Sequence, residues 1–162
     1  MTQKITPHLW FDKEAEEAAE YYVSVFKDSK ILNVSRYSEV GQEMHGQAPG
    51  TAMTVEFELN GQRFIALNGG PLFKFNEAVS FLVDCEDQAE VDYFWEKLSA
   101  VPESEQCGWC KDKYGVSWQV VPRQLGELMS DPDQAAANRT MAAMLQMHKL
   151  DIQTLQNAYD GK

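Results

Sequence analysis

The stretch HLWFDKEAEEAAEYYVSVF (residues 8–26) aligns without a gap with SFLVDCEDQAEVDYFWEKL (residues 80–98), 72 positions later. Both stretches begin as an alternating, strand-like segment and continue as a helix-like one, and their apolar positions coincide throughout. Asp12 aligns with Asp84, and we expect Asp12 to cap the first helix, predicted over residues 13–26. Segments that repeat in this way share one architecture. The alignment indicates two copies of one module.

A predicted hairpin follows each copy. In the first, AMTVEFEL (residues 52–59) alternates, Asn60-Gly61 is a type I′ turn signal, and residues 63–67 return. In the second, the strands are predicted over residues 106–111 and 117–121, and YGVSWQVV (residues 114–121) aligns with NGQRFIAL (residues 60–67). With a further strand over residues 31–37, we predict an α+β fold made of duplicated β-α-β-β-β modules.

The chain beyond the second hairpin has a different composition. We predict modules over residues 1–72 and 73–122 and a C-terminal helical extension over residues 123–162, helical over 125–129, 131–150 and 152–159. The extension carries an apolar stripe at helical spacing, made by Met141, Met144, Leu145 and Met147. Such a stripe is typical of packing against the body of the protein or a second subunit. A Met-rich peptide-binding face is the alternative.

The composition and charge limit the classes of protein to which this chain can belong. The 162 residues are 44% apolar and 11% aromatic, which suits a packed interior, and the formal net charge is −11. This acidity argues against nucleic acid and anionic membranes as partners. No apolar run reaches the ~20 residues of a membrane span. No apolar export segment is visible, and the cysteine count is odd at three, so we expect a reducing, cytoplasmic location.

The segment Cys107-Gly108-Trp109-Cys110 has the C-x-x-C spacing of redox and zinc sites. A redox pair places its first thiolate at a helix N-terminus, whereas this segment leads into a polar turn and a strand. A structural zinc site needs a second pair of ligands, and the sequence has no other C-x-x-C and no H-x-x-x-H. The pattern favours a structural role over either chemistry.

These features resemble the PhnB-like family of the glyoxalase/bleomycin-resistance/dioxygenase (vicinal oxygen chelate) superfamily. The similar segments are ITPHLWFDKEAEEAAEYYVSVF, NGG, FKFNEAVSFLVDCEDQAEVD, CGWCKDKYGVSWQVVP and AAMLQMHKLDIQTLQNAY. The resemblance implies two modules that each curl a sheet around a concave face, in a protein that usually forms homodimers. Members often carry the name 3-demethylubiquinone-9 3-methyltransferase. The sequence lacks the glycine-rich strand-to-helix turn typical of S-adenosylmethionine-dependent methyltransferases, so it does not support that activity.

The resemblance also implies where a metal would be held. Metal-dependent relatives use two residues from the first strands and two from the last strands, and the repeat transfers these places to His8, Ser80, Ile65 and Gln119. Histidine and carboxylate are the side chains that such an ion needs. This set contains one imidazole, so we predict no cofactor and no tight metal, with His8 and Gln119 as weak candidates. His8 is otherwise a strand residue of structural role, or an acid/base in a pocket.

The remaining expectation is a small-molecule pocket lined by aromatic side chains with a few polar groups. Its candidate residues are His8, Trp10, Phe64, Ser80, Trp109, Trp118 and Gln119. Trp118 and Gln119 point to opposite sides of one strand, so only one of them can line the pocket. The first hypothesis is a protein that binds a small organic ligand. The alternative is a lyase, isomerase or dioxygenase that uses His8 and a loosely held divalent ion, and the sequence leaves open whether the chain is an enzyme.

Overall fold

A computed structural model describes residues 4–162, so the first three residues of the predicted first module lie outside the described part of the chain. The chain divides into two compact units, the first ending at Phe75 and the second spanning Asn76–Lys162. The elements of the first unit are β1 (His8–Phe11), α1 (Ala15–Val25), β2 (Lys30–Arg36), α2 (Gln42–His45), β3 (Ala52–Leu59) and β4 (Gln62–Asn68). The four strands form one sheet in the order β1-β4-β3-β2, in which β1 is parallel to β4 and the other pairs are antiparallel.

The predicted hairpin of the first unit is confirmed. Asn60 and Gly61 connect β3 to β4 with φ angles of 46° and 80°. Two successive positive φ values define the type I′ turn, whose twist matches that of the flanking strands. The alternation in β3 buries Val55, Phe57 and Leu59 on the side of the sheet that α1 contacts.

The predicted cap of α1 was wrong. The helix begins at Ala15, and Asp12 lies outside it. The backbone N–H of Ala15 donates instead to Oδ1 of Asn68, at 2.8 Å, and Asn68 is buried at the end of β4. The acceptor that satisfies the helix N-terminus therefore comes from a distant strand, and the Asn68 amide also donates to the carbonyl of Ala52 at 3.0 Å.

The second unit repeats this plan with one strand fewer. Its elements are β5 (Ser80–Cys85), α3 (Gln88–Leu98), a 3₁₀ turn (Pro102–Ser104), β6 (Trp109–Lys111), β7 (Ser117–Pro122), α4 (Arg123–Met129), α5 (Gln134–Met144) and α6 (Ile152–Asp160). The strand order is β5-β7-β6, with β5 parallel and β6 antiparallel to β7. Each sheet thus pairs its first strand in parallel with its last, and residues 76–162 hold no counterpart of β2.

The C-terminal extension packs on the rest of the second unit. Leu125, Leu150 and Leu155 form a buried cluster, against which Met144 and Met147 pack. The predicted helix over residues 131–150 is shorter than expected, because it ends at Met144 and the chain then turns. Met141 and Leu145, from the same apolar stripe, are exposed. Across residues 4–162, every helix is too short or too polar to span a bilayer.

Candidate functional site: the open faces of the two sheets

Each sheet has one side packed against its first helix, α1 or α3, and one side turned away from that helix, which we call the open face. In β1, Leu9 and Phe11 are buried towards α1, so His8 and Trp10 lie on the open face. The same alternation in β4 places Ile65 on the open face of the first sheet. The predicted grouping of His8 with Trp10 agrees with this arrangement.

The immediate neighbour of His8 on its sheet is apolar. Its Cα partner in β4 is Ile65, whose partner in β3 is Glu56, so these three residues form one row across the open face. Neighbouring strands lie about 4.8 Å apart, so roughly 10 Å separates the Cα atoms of His8 and Glu56. Glu56 forms an ion pair with Arg63, whose Cα partner is the next open-face residue of β3, Glu58. The row therefore gives His8 one apolar neighbour and a carboxylate that is already paired.

Trp10 is held against the Asn68-Gly69-Gly70 turn. Its Nε1 donates to the carbonyl of Gly70 at 2.8 Å, and its ring meets Phe73 edge-on with centroids 5.0 Å apart. A Cβ on Gly69 would lie 2.3 Å from the indole ring, so only glycine allows this approach. The result is a half-buried aromatic surface at the end of β1 and β4.

The open face of the second sheet also carries both polar and aromatic side chains. Val83 and Val120 are buried towards α3, so Ser80 and Gln119, which alternate with them, lie on the open face. The side-chain amide of Gln119 donates to Oγ of Ser80 at 2.9 Å. Trp109, the Cα partner of Gln119 in β6, is half-buried on the same side. The structure thus brings together three of the predicted site residues.

The C-terminal extension covers one end of this second face. Val121, two residues after Gln119 on β7, packs against the cluster of Leu125, Leu150 and Leu155. The part of the face that the extension leaves uncovered lies towards the start of β7 and includes the half-buried Gln119.

The register of β5 against β7 changes one of the four candidate metal positions that the sequence alignment assigned. Ile65 and Gln119 are equivalent in the alignment of the two hairpins, and their Cα partners in the parallel first strands are His8 and Leu82. Ser80 pairs with Ser117, two residues away on the same face. Leu82 is therefore the structural counterpart of His8, and it supplies no donor atom. A shift of two residues keeps every side chain on its face, so apolar alternation alone could not detect it.

Phe64 and Trp118 lie on the helix side of their sheets. Both are buried, and Phe64 stacks on Phe57 with centroids 5.5 Å apart. Trp118 Nε1 donates at 2.8 Å to Oδ2 of Asp112, which is itself buried. These two candidates belong to the core, so of the pair Trp118 and Gln119 it is Gln119 that faces the open side.

The C-x-x-C segment forms a tight turn. Cys107 and Gly108 have φ angles of 50° and 85°, and the backbone N–H groups of Gln106 and Trp109 each donate to the other residue's carbonyl, at 3.1 and 2.8 Å. The strand predicted over residues 106–111 is therefore a turn followed by a short strand. The N–H groups of Cys107 and Gly108 donate at 2.8 Å to the carbonyls of Met147 and His148 respectively. The turn thus ties the body of the second unit to its C-terminal extension.

The two buried thiols of this unit, Cys85 and Cys110, are not activated. All three cysteines are free, and Cys85 and Cys110 are buried. Burial raises the pKa of the Cys110 thiol to about 12, with the negative charges of Asp112 and Glu105 adding to the shift. Burial likewise raises the pKa of Cys85 to about 12. A redox-active thiol needs the opposite shift, and neither residue begins a helix.

The donor set does not suit a tightly held metal ion. Within residues 4–162, no three side chains of His, Cys, Asp or Glu lie close enough together to hold a metal. Of the four positions that the register makes equivalent, His8 carries an imidazole and Gln119 an amide that is bonded to Ser80. Isoleucine and leucine fill the other two places and cannot bind a cation.

Two residues of the second open face, Ser117 and Lys111, were not among the site candidates predicted from the sequence. Ser117 is the Cα partner of both Ser80 and Lys111, so the three side chains form a row across β5, β7 and β6. Lys111 forms an ion pair with Glu77, which precedes β5. Alternation along β7 could have identified Ser117, because it lies two residues before Gln119.

Comparison with known proteins identifies the family. The model of the family described as 3-demethylubiquinone-9 3-methyltransferase matches residues 3–121. The chain belongs to this PhnB-like family. A solved structure described as a putative 3-demethylubiquinone-9 3-methyltransferase, PhnB protein, from Bacillus cereus is 39% identical, with a TM-score of 0.62. That match covers 74% of this chain and 99% of the other chain.

A more distant structure shows the same fold. A protein from Pseudomonas aeruginosa is 15% identical with a TM-score of 0.56, over 75% of this chain and 98% of its own. No curated protein matches the chain. The family match ends before α4, so the C-terminal extension lies outside the region that the family model matches.

Proposed function

We propose that this PhnB-like protein binds a small organic ligand on the open faces of its sheets, without a tightly held metal ion. The observation that carries the proposal is the pairing of half-buried aromatic rings with polar groups on the sides of the sheets turned away from α1 and α3. Trp10 lies near His8 in the first unit, and Trp109 lies beside Gln119 in the second. Ligand sites in proteins combine apolar and aromatic surface with a few directed polar groups in this way.

Methyl transfer, which the family description names, has little support in this chain. S-adenosylmethionine is commonly held by a doubly wound parallel sheet with a glycine-rich turn between the first strand and its helix. Here the connections from β1 to α1 and from β5 to α3 contain no glycine, and both sheets are mixed. The residues present do not fit this cofactor. Calorimetric titration with S-adenosylmethionine tests the point, and we expect no heat of binding.

The alternative function is that of a lyase, isomerase or dioxygenase with a loosely held divalent ion. One observation favours it, since His8 is exposed and lies on the same row as the Glu56 carboxylate. Ile65 between them and the ion pair of Glu56 with Arg63 weigh against it. Retention of a divalent ion by the wild-type protein but not by His8→Ala would favour this alternative.

Indole NMR spectroscopy can test the ligand-binding proposal. The chain has four tryptophans, so a library of small aromatic compounds can be screened against four indole N–H signals. We expect bound compounds to shift the signals of Trp10 or Trp109, assigned with Trp10→Phe and Trp109→Phe variants. Trp118, in the core, and Trp95, on α3, serve as internal controls. Absence of any shift, or shifts confined to the control signals, would refute the proposal.

We also propose that the protein forms a homodimer, as its resemblance to the family implies. Large apolar side chains are exposed in both units, among them Leu72, Phe73, Val79 and Leu82. Exposed apolar surface of this kind is typical of protein interfaces. Light scattering coupled to gel filtration should give twice the mass of 18.4 kDa, and a concentration-independent monomer would contradict the proposal.

A further inference from the structure

The open face of the second sheet carries a row of two hydroxyls and one ammonium group. Ser80, Ser117 and Lys111 are Cα partners across β5, β7 and β6, and we call these three residues the Ser-Ser-Lys row. Side chains directly opposite each other on neighbouring strands have Cβ atoms about 5 Å apart. The row therefore directs three hydrogen-bond donors to one small region.

The donors of this row are incompletely used. Ser117 is only 2% exposed, and its Oγ is buried with no hydrogen-bond partner among residues 4–162. Leaving a buried hydroxyl unpaired is unfavourable, so such a group calls for a specific explanation. Ser80 Oγ accepts from the Gln119 amide at 2.9 Å, which leaves the proton of Ser80 available for donation. The row has more capacity to donate than this bond uses.

Lys111 already holds a carboxylate. Its ammonium group pairs with Glu77, which lies three residues before Ser80, where β5 begins. The hydrogen bond from Lys111 lowers the pKa of the Glu77 carboxyl, as expected for an ion pair. The Glu77 side chain is 58% exposed, whereas that of Lys111 is 22% exposed. Because Glu77 precedes the strand and is largely in solvent, its carboxylate can leave Lys111 without any change in the sheet.

We propose that the Ser-Ser-Lys row is a subsite for the carboxylate of a small organic acid, and that Glu77 occupies Lys111 when no ligand is bound. The ligand carboxylate takes the place of Glu77 on Lys111 and accepts hydrogen bonds from the Ser117 and Ser80 hydroxyls. The body of the ligand then lies towards the neighbouring row, which contains Gln119 and Trp109. This inference rests on the proposed ligand-binding function and adds the chemical class of the ligand.

Benzoate and its neutral analogue benzamide are suitable probes, because they share an aromatic ring and differ in the carboxylate. Binding is measured by calorimetry and by the shift of the Trp109 indole signal. We expect benzoate to bind and Glu77→Gln to tighten its binding about tenfold by removing the competing charge. Lys111→Met should weaken benzoate by about tenfold or more, and Ser117→Ala should weaken it to a smaller extent. Lys97→Met is the matched control, since Lys97 pairs with Glu96 on α3 and lies off the row.

The outcomes separate this inference from the proposed function. Equal binding of benzamide and benzoate, unaffected by Lys111→Met, would overturn the carboxylate subsite and leave ligand binding in place. Failure of benzoate to bind to Glu77→Gln would also overturn the subsite, and this exposed substitution is not expected to impair folding. If the library screen also leaves the Trp10 and Trp109 signals unchanged, the proposed function fails as well.

Discussion

The indole ring of Trp10 lies so close to Gly69 that a Cβ on that glycine would be 2.3 Å from the ring. β4 ends at Asn68 and is followed by Gly69 and Gly70. The contact explains the first of these two glycines. The first glycine admits the ring, and the carbonyl of the second accepts the indole N–H at 2.8 Å. The aromatic surface of the first open face therefore depends on a residue without a side chain.

Gly69→Ala should displace the Trp10 ring. Overpacking of this kind costs about 1–3 kcal/mol, so we expect a lower free energy of unfolding in urea and a changed Trp10 indole signal. Gly126→Ala is the control, because nothing lies within 4 Å of a Cβ there and the residue is inside α4. The control should be neutral or slightly stabilising. Equal stability of Gly69→Ala and the wild-type protein would contradict the contact.

Gly108→Ala should loosen the C-terminal extension. The residue has a φ angle of 85°, and a Cβ would lie 3.0 Å from both Leu150 Cδ1 and the Val120 carbonyl. Gly50 has a comparable φ of 88°, and nothing lies within 4 Å of a Cβ there. Gly50→Ala therefore measures the cost of placing alanine at a positive φ without a steric clash. We expect the Gly108 variant to be less stable than the Gly50 variant and more readily cleaved in residues 123–162 by protease. Similar losses in both variants would show that the contact with Leu150 contributes nothing.

Asp112→Asn should destabilise the second unit. The buried carboxylate accepts from the backbone N–H groups of Tyr114 and Val116 at 2.9 and 3.0 Å and from Trp118 Nε1 at 2.8 Å. The amide group of asparagine would oppose one of these donors, at a cost of about 1–3 kcal/mol. Trp118→Phe removes that indole donor, so a double-mutant cycle should show coupling between the two positions. Strict additivity of the two losses would contradict the bond.

Thiol labelling should distinguish Cys107 from the other cysteines. The pKa of Cys85 and of Cys110 is raised to about 12 by burial, whereas Cys107 is half-buried on its turn. We expect iodoacetamide to modify Cys107 first at pH 8, as read by mass spectrometry. Rapid labelling of Cys110 in the native protein would reopen the redox interpretation.

The two buried thiols should also make stability fall at high pH. The unfolded chain gains thiolates as the pH rises above the ordinary thiol pKa of 9.0, whereas the folded chain keeps both thiols protonated up to about pH 12. Their contribution to the free energy of unfolding is therefore complete below pH 9.0 and falls between pH 9.0 and about 12. Urea titrations of the wild-type protein and Cys85→Ala across this range measure the effect. An identical pH dependence in the two proteins would contradict the assignment to Cys85.

Local signals in the sequence predicted most of the fold. The alternation of residues 52–59 and the Asn60-Gly61 pair specify the first hairpin without help from distant residues. The cap of α1 could not be predicted in this way, because its acceptor belongs to Asn68, 53 residues along the chain. The turn at Cys107 was hidden for a similar reason, since its N–H group is satisfied by the extension.

The placement of the candidate residues on the two sheets was predicted in part. His8, Trp10, Ser80, Trp109 and Gln119 lie on the open faces, as alternation along each strand indicates. The sequence predicts Phe64 and Trp118 as pocket candidates because aromatic side chains suit both pockets and cores, and only burial distinguishes the two. Identifying Leu82 as the counterpart of His8 required the hydrogen-bonded register of β5 against β7. Sequence similarity does not determine this register to within two residues.

Metal content is the most informative measurement, because the four equivalent positions, His8, Leu82, Ile65 and Gln119, together supply only one imidazole and one amide. Wild-type protein and His8→Ala would each be dialysed against zinc, nickel, manganese or ferrous iron, and the retained ion would be measured by elemental analysis. We expect no stoichiometric ion in either protein. Retention of one ion per chain by the wild-type protein, lost in His8→Ala, would contradict this expectation.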